Sequence, residues 1–271
     1  MSHLLREHAP ITAAGWKAID EEARERLLPG LASRRLVDFS GPHGWEHSAT
    51  NVGRVERADL SAVKGVQAKR RIVLPLLELR ASFTVAREEL RAGDRGALDV
   101  DFAELDSAAQ SLVEAENVCV FHAWPKAGIE GIAKRSPHSA IKRAASYESF
   151  PASVARAVEL LLRAGIAGPY GLALGREEYT RVVETAEHGG FPLLEHLRKI
   201  LQGPIVWAPG VDGAIVLSMR GGDFELDCGQ DVSVGYDSHD AERVTLYLEE
   251  SFSFRVLTPE AAVAIVAPKG R

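Results

Sequence analysis

The last quarter of the chain contains the segment that most constrains its fold. Between residues 244 and 256, apolar side chains fall on alternate positions, with mostly polar residues between them: Val244, Leu246, Leu248, Phe252, Phe254 and Val256. A period of two predicts a β-strand with one apolar and one polar face. At roughly 3.3 Å per residue this strand would be about 40 Å long, well beyond the usual five or six residues. Such a length suits the spine of a domain or an extended assembly surface.

Composition excludes several classes of protein. The 271 residues carry a net charge of -6 and are 46% hydrophobic, enough for a sizeable core, and this charge argues against general nucleic-acid binding. No run of about 18 apolar residues occurs, and the N-terminus lacks the apolar core of a secretory signal. We therefore expect no membrane partner and a cytoplasmic location. Cys119 and Cys228 have no CxxC partner, which predicts buried free thiols.

Helical periodicity appears on both sides of the middle of the chain. Thr12 can cap a helix with an apolar stripe from Trp16 to Leu27, and Asp101 can cap a long helix that ends before Pro125. From residue 131 the pattern changes to helices at 153–164, 176–187 and 193–201, with strands at 170–174, 205–207 and 214–219. This alternation predicts an inserted α/β or α+β lobe.

Residues 52–85 predict two extended arms around a polar tip at residues 59–65. The second arm contains the apolar run from Ile72 to Leu77, interrupted by Pro75, which suits a strand edge. An isolated hairpin offers this run no cover. We therefore expect a neighbouring chain to cover it.

A metal motif occurs between His43 and His47, where the sequence HGWEH satisfies HxxEH. On a helix this spacing places two histidines on one face, and the glutamate activates a metal-bound water. Gly44 inside the motif and the Gly-Pro pair before it predict a turn instead, and no acidic ligand on a downstream helix is evident. We expect loop packing with Trp45 as the anchor and no bound metal. A zinc-dependent hydrolase or bacteriocin remains the minor alternative.

Other motifs do not indicate an enzyme. Arg220 to Phe224 resembles the GGDEF signature of cyclic dinucleotide synthases, but its second acid follows the phenylalanine, so a tight turn between strands is predicted. Glu-x-x-His pairs, which a ferritin-like di-iron bundle needs, do not occur, and neither do phosphate-binding loops or GxSxG elbows. We expect no catalytic residues.

Seven blocks in order along the chain resemble those of encapsulins, the shell proteins of bacterial protein nanocompartments. These blocks are LREHAPITAAGWKAIDEEAR, RRLVDFSGPHGWEHSATNVG, LPLLELRASFTV, GIAGPYGLALG, GGFPLLEHL, RGGDFELDCGQDVSVGY and ESFSFRVLTPEA. The resemblance extends nearly end to end. It is more specific than any single short motif.

The resemblance implies an α+β fold of the tailed-phage major capsid type. By that analogy, residues 1–51, 80–130 and 224–271 form a discontinuous peripheral domain, residues 52–79 an extended loop, and residues 131–223 an axial domain. Closed icosahedral symmetry implies a homo-oligomer of about sixty copies or a multiple. A prophage major capsid protein is the alternative within this fold.

The encapsulin resemblance also implies a cargo enzyme as partner, of the dye-decolourising peroxidase or ferritin-like iron oxidase type, with roles in oxidative stress or iron storage. The C-terminal targeting peptide of the cargo would bind a groove inside the shell. Carried onto this chain, the groove comprises Leu27, Leu31, Arg34, Asp38, Val232, Val234 and Tyr236. Arg34 and Asp38 would form hydrogen bonds with the peptide.

Two further expectations follow from the same resemblance. The segment Glu187, His188, Gly189, Gly190 and Phe191 matches the part of encapsulins that lines the five-fold pore, where a ring of charged side chains would select ions. Some encapsulins bind a flavin on an exterior tryptophan. The matching position here is Glu88 or a neighbour, with no aromatic residue between Thr84 and Gly93, so we expect no flavin and no other cofactor.

Overall fold

The computed structural model describes residues 3–58, 65–187 and 190–267, which form two five-stranded sheets, a two-stranded arm and eight α-helices. The helices are α1 Ala13–Leu27, α2 Ser33–Leu36, α3 Arg87–Asp94, α4 Ala103–Asn117, α5 Ile132–Arg135, α6 Phe150–Arg163, α7 Arg176–Glu184 and α8 Leu193–Leu201. The strands are β1 Asp38–Ser40, β2 Ala49–Ala58, β3 Ala68–Pro75, β4 Leu77–Ala86, β5 Ile141–Lys142, β6 Tyr170–Leu174, β7 Gln202–Trp207, β8 Ala214–Ser218, β9 Phe224–Cys228, β10 Ser233–His239, β11 Arg243–Val256 and β12 Ala262–Val266.

The long strand β11 holds the first sheet together, as its length predicted. It pairs antiparallel with β4, β9 and β10, and β1 extends the sheet beyond β9. Both faces of this strand are covered, because every residue from Leu246 to Phe254 is buried. Glu249, Ser251 and Ser253 on the polar positions, and Glu250 on the apolar face, therefore need partners inside the protein.

Helices α1 and α4 cover this sheet with the stripes that the sequence predicted. Leu105, Ala109 and Leu112 of α4 are buried in the core, and so are Ile19 and Leu27 of α1. The Thr12 hydroxyl accepts a hydrogen bond from the Gly15 backbone at 3.0 Å, which confirms that cap. Helix α4 begins two residues after Asp101, whose carboxylate accepts a hydrogen bond from the Ala103 backbone. A π-helical turn, Val118–His122, continues α4.

The second sheet has the order β5, β12, β8, β6, β7 and packs against α6 and α8. The bounds of β6 and α8 agree with the sequence predictions, whereas α7 ends three residues earlier than expected. Strand β12 pairs with β8 in this sheet, so residues 262–266 lie with the lobe, whereas the predicted boundaries assign them to the peripheral domain. The apolar run of β12 extends the sheet beyond β8, where β5 pairs with its far edge.

Strands β2 and β3 form the antiparallel arm that the sequence predicted. Most of the tip, residues 59–64, lies outside the described residues. The apolar side chains of the second strand have little cover within one chain: Val73 is 45% exposed and Ile72 is also exposed. The cover by a neighbouring chain thus stays a prediction.

Three smaller sequence predictions can also be compared with the fold. Cys119 and Cys228 are buried free thiols, as expected, and burial raises the pKa of each to about 12. Residues 219–223 turn between β8 and β9, with Gly221 and Gly222 at positive φ, which confirms the predicted turn. Among the described residues, no helix combines the length and apolar character that crossing a bilayer requires.

Candidate peptide groove and pore segment

A groove of about 510 Å³ lies between α1, the start of α2 and strand β10. Its floor is apolar and its rim carries both signs of charge. The lining residues are Leu4, Arg6, Asp20, Ala23, Arg24, Leu27, Leu28, Leu31, Arg34, Asp231, Val232, Ser233, Val234 and Leu248. The apolar stripe of α1 forms one wall because its successive turns place Ala23 and Leu27 on the same side of the helix. Leu28 is 56% exposed at the edge of the groove.

Five of the seven residues predicted for the groove line it: Leu27, Leu31, Arg34, Val232 and Val234. The other two do not.

Asp38 accepts a hydrogen bond from the Gly222 backbone at 2.6 Å and borders a separate small cavity between α2 and β8. The Tyr236 hydroxyl lies 2.6 Å from His239 Nδ1, and its backbone N–H donates to the Leu4 carbonyl. The Asp38 and Tyr236 side chains thus form their hydrogen bonds outside the groove.

Arg34 is placed at the groove, but its guanidinium is held by three carboxylates of the same chain. It donates to Glu116 Oε2 at 2.8 Å, to Glu250 Oε2 at 2.7 Å and to Asp231. Glu116 and Glu250 are buried, whereas Asp231 is half exposed at the rim. The geometry makes Arg34 a structural cation beneath the groove. Sequence reasoning expected it to bind the peptide.

Of the two buried glutamates beside Arg34, Glu250 has a shifted pKa. Burial raises the pKa of Glu250 well above its usual range, and the negative charge of Glu116 adds to this effect, which Arg34 only partly offsets. Ser33 donates a hydrogen bond to Glu116, and Asn117 donates to the Gly30 and Pro209 carbonyls at 2.8 and 3.0 Å. The network therefore fixes α2 against the end of α4.

Sequence reasoning missed Glu116 and Asn117, although a signal was present. The inward stripe of α4 includes Ala109, Leu112 and Val113, and the same period reaches residue 116. A charged residue on an apolar stripe needs a buried partner. In the fold, Arg34 is the cation that pairs with Glu116. The two residues are 82 positions apart in the sequence, so no local pattern predicts their contact.

The described residues of the predicted pore segment, Glu187, Gly190 and Phe191, lie between α7 and α8. The Glu187 backbone donates to the Phe191 carbonyl at 2.9 Å, and Gly190 has a φ of +78°. The Glu187 carboxylate lies 2.8 Å from His196 Nδ1, and Lys199 Nζ lies 4.6 Å from the centroid of the exposed Phe191 ring. His188 and Gly189 are outside the described residues. The loop thus also involves two α8 residues that the sequence did not single out.

The HxxEH segment forms a loop, as expected, but it does not pack as the sequence suggested. Trp45 remains partly exposed and stacks on His3, with ring centroids 3.9 Å apart. Both histidines approach Asp227 of β9, at 2.9 Å from His43 and 3.1 Å from His47. The acidic partner thus lies on a strand and not on the downstream helix that the motif predicts. Glu88, at the position that matches the flavin-binding tryptophan of some encapsulins, forms an ion pair with Arg95 at 2.7 Å.

The sequence matches a protein family described as encapsulating protein for peroxidase, over residues 1–253. Among curated relatives, a type 1 encapsulin shell protein of Rhodospirillum rubrum is 46% identical, with 98% of this chain and 96% of the relative covered. A type 1 encapsulin shell protein of Brevibacterium linens is 43% identical, with 98% and 99% covered. The chain belongs to the encapsulin family.

Solved structures support the fold of this encapsulin. A virus-like particle protein from Pyrococcus furiosus aligns with a TM-score of 0.61 at 21% identity and covers 92% of this chain and 98% of its own. The capsid protein of an empty GTA particle aligns with a TM-score of 0.54 at 16% identity, with 87% and 89% covered. At these identities the likeness concerns the fold alone. It is the capsid type that the sequence predicted.

Proposed function

We propose that this encapsulin is a structural subunit that assembles with copies of itself into a closed icosahedral shell and encloses a cargo enzyme. The observation that carries the proposal is the match to type 1 encapsulin shell proteins over 98% of the chain, on a capsid-type fold. A shell of this symmetry contains about sixty subunits or a multiple. The relatives are named as shell proteins, so the role is structural and not catalytic.

The arm formed by β2 and β3 provides the contact that this assembly needs. Ile72 and Val73 are apolar and exposed in the single chain, and a folded monomer gains nothing from presenting them to water. Burial of such side chains contributes about 25 cal/mol per Å² of apolar surface. A neighbouring subunit that covers the arm would therefore contribute to the stability of the shell.

Assembly can be tested by electron microscopy and mass photometry of the untagged chain, with Val73→Asp as the test variant and Arg70→Asp as a control on the same strand. Arg70 is also exposed and its ion pair is on the surface, so its replacement should cost little. We expect uniform closed particles from the unaltered chain and from the control, and loss of particles from Val73→Asp. A monodisperse monomer from the unaltered chain would refute the shell.

The groove is proposed as the site for the targeting peptide of the cargo. An extended apolar segment fits its floor, where Leu27, Leu31 and Val234 offer side chains without polar groups to satisfy. At the rim, Arg24 is exposed, and no ion pair to it is found within the described part of the chain. Because Arg34 is held by carboxylates, we assign the peptide's polar contacts to Arg24 and to the half-exposed Asp231.

The groove assignment can be tested with two exposed leucines on helices. Leu28→Glu places a charge at the groove edge, and Leu162→Glu places one on α6, with 56% and 59% of the two side chains exposed. Neither change removes a core contact, so both shells should form. We expect Leu28→Glu particles purified from the native host to lose most of their non-shell protein, measured by native mass spectrometry, and the control to keep it. Equal cargo content in the two variants would refute the groove.

The pore proposal rests on the loop between α7 and α8. Five copies meeting at a symmetry axis would place Glu187, Phe191 and Lys199 around an opening, where charge and apolar surface would select small solutes. The family description names a peroxidase, and a peroxidase inside a closed shell needs such an entry route for its substrates. A peroxidase is therefore the cargo class we propose.

A further inference from the structure

The loop between β1 and β2, residues 41–48, is held tightly against the end of β9. The His43 backbone donates to the Cys228 carbonyl at 3.0 Å, and the Gly44 backbone donates to the Gly229 carbonyl at 2.8 Å. Gly41 has a φ of +112°, and a Cβ added there would lie 2.3 Å from the Cys228 carbonyl oxygen. The loop backbone is thus positioned by β9, and its two histidines are positioned with it.

These histidines and Asp227 bring three metal-binding side chains together. His43 Nε2 lies 2.9 Å from Asp227 Oδ1, and His47 Nε2 lies 3.1 Å from Oδ2. One ligand atom from each residue lies within 4.8 Å of the others. Around a tetrahedral zinc ion with bonds of about 2.0–2.1 Å, ligand atoms are about 3.3 Å apart. Small side-chain rotations would therefore bring all three onto one ion.

Burial and hydrogen bonding prepare the carboxylate for this role. Asp227 is buried and accepts a hydrogen bond from Thr50, whose hydroxyl also contacts Ser253. Its contacts with Thr50 and His47 hold the carboxylate in place. Both histidines are partly exposed, which leaves room for water on the remaining coordination positions.

We propose that His43, His47 and Asp227 form a binding site for a divalent transition metal ion, for which zinc is the test ion. Two imidazoles and one carboxylate suit Zn²⁺ and its neighbours, whereas Mg²⁺ and Ca²⁺ prefer oxygen ligands alone. Glu46, the residue that would activate water in a zinc hydrolase, is exposed and lies outside the cluster. The ion is therefore structural. It cross-links the loop that precedes the arm to the central sheet.

Zinc content per subunit tests the site directly. Untagged, chelator-treated protein is incubated with Zn²⁺, freed of excess and analysed by mass spectrometry of the metal, for the unaltered chain and for His43→Gln, His47→Gln and His8→Gln. His8 is an exposed histidine of the short turn Arg6–His8, away from the cluster, and serves as the matched control. We expect about one Zn²⁺ per subunit for the unaltered chain and the control, and at least about tenfold weaker binding for the two test variants.

Thermal unfolding provides a second measurement. Zinc should raise the Tm of the unaltered chain and of His8→Gln, because a ligand that binds only the folded state stabilises it, and should leave the Tm of the other two variants unchanged.

If a variant does not assemble, the Co²⁺ spectrum of the unaltered protein decides: d–d bands of a tetrahedral or five-coordinate ion support the site, and their absence overturns it. Zinc content that is near zero in the unaltered chain, or equal in all variants, would also overturn the proposal. Particle formation is measured separately, so failure of the metal site leaves the shell proposal untouched.

Discussion

Replacing Arg34 with methionine should destabilise this encapsulin strongly, whatever it does to cargo. Methionine keeps much of the aliphatic length of the side chain but removes the cation that Glu116 and Glu250 share. The raised pKa of Glu250 lets it take up a proton, yet Glu116 then remains a buried carboxylate without a counter-ion. The partner at the rim, Asp231, is half exposed and loses little because water can solvate it.

The magnitude follows from this burial. Removing one partner of a buried ion pair typically costs about 3–5 kcal/mol, because the remaining charge is uncompensated. For a chain of this size about 1 kcal/mol lowers the Tm by about 2–4 °C, so we expect a decrease of about 6–20 °C. Adding Glu116→Gln to the arginine variant should recover part of this loss, since it removes the buried carboxylate that is left without a counter-ion.

Scanning fluorimetry of assembled particles at equal subunit concentration measures both effects, because association itself raises the Tm. Arg34→Lys is the control, since it keeps the charge but loses the forked geometry, and it should lie between the other two proteins. A decrease of less than about 2 °C for Arg34→Met would refute the structural role, since it corresponds to about 1 kcal/mol or less. Cargo loss without a decrease in Tm would instead favour the peptide contact that the sequence resemblance implied.

Two further predictions concern the same sheet. Because the pKa of Glu250 is higher in the folded than in the unfolded chain, its stabilising contribution is complete below the unfolded pKa, near 4.5, and is lost as the pH rises towards the folded pKa. The Tm of Glu250→Gln relative to the unaltered chain should therefore increase as the pH rises above about 4.5, and a pH-independent difference would contradict this. Gly41→Ala should cost about 1–3 kcal/mol, because its methyl group would meet the Cys228 carbonyl at positive φ. An unchanged Tm for that variant would show that the loop is not held as described.

Local periodicity was sufficient to predict much of this fold. The 3.6-residue stripe of α1 and the period of two in β11 correctly predict a helix and a strand. The burial of both faces of β11 could not be predicted from this period, because Glu249 and Glu250 indicate solvent exposure unless their partners Arg80 and Arg34 are already known. The pairing of β12 with β8 could not be predicted from the sequence either. A short apolar strand fits either sheet, and its choice depends on which edge is open.

The candidate sites show the same limit more sharply, because their chemistry is made by residues distant in sequence. Asp227 lies 180 residues after His47, and the two meet because β9 pairs with β1 and the loop that follows β1 is hydrogen-bonded to the end of β9. The HxxEH motif predicts a zinc site when it lies on a helix with an acidic ligand on a second helix. This segment is a loop, so the sequence alone provides no reason to expect a metal. Arg34 was placed at the groove by resemblance, which conveys position along a chain but not the pairs that a side chain has already formed. Contacts of this kind depend on the register of a sheet, and only the assembled fold supplies that register.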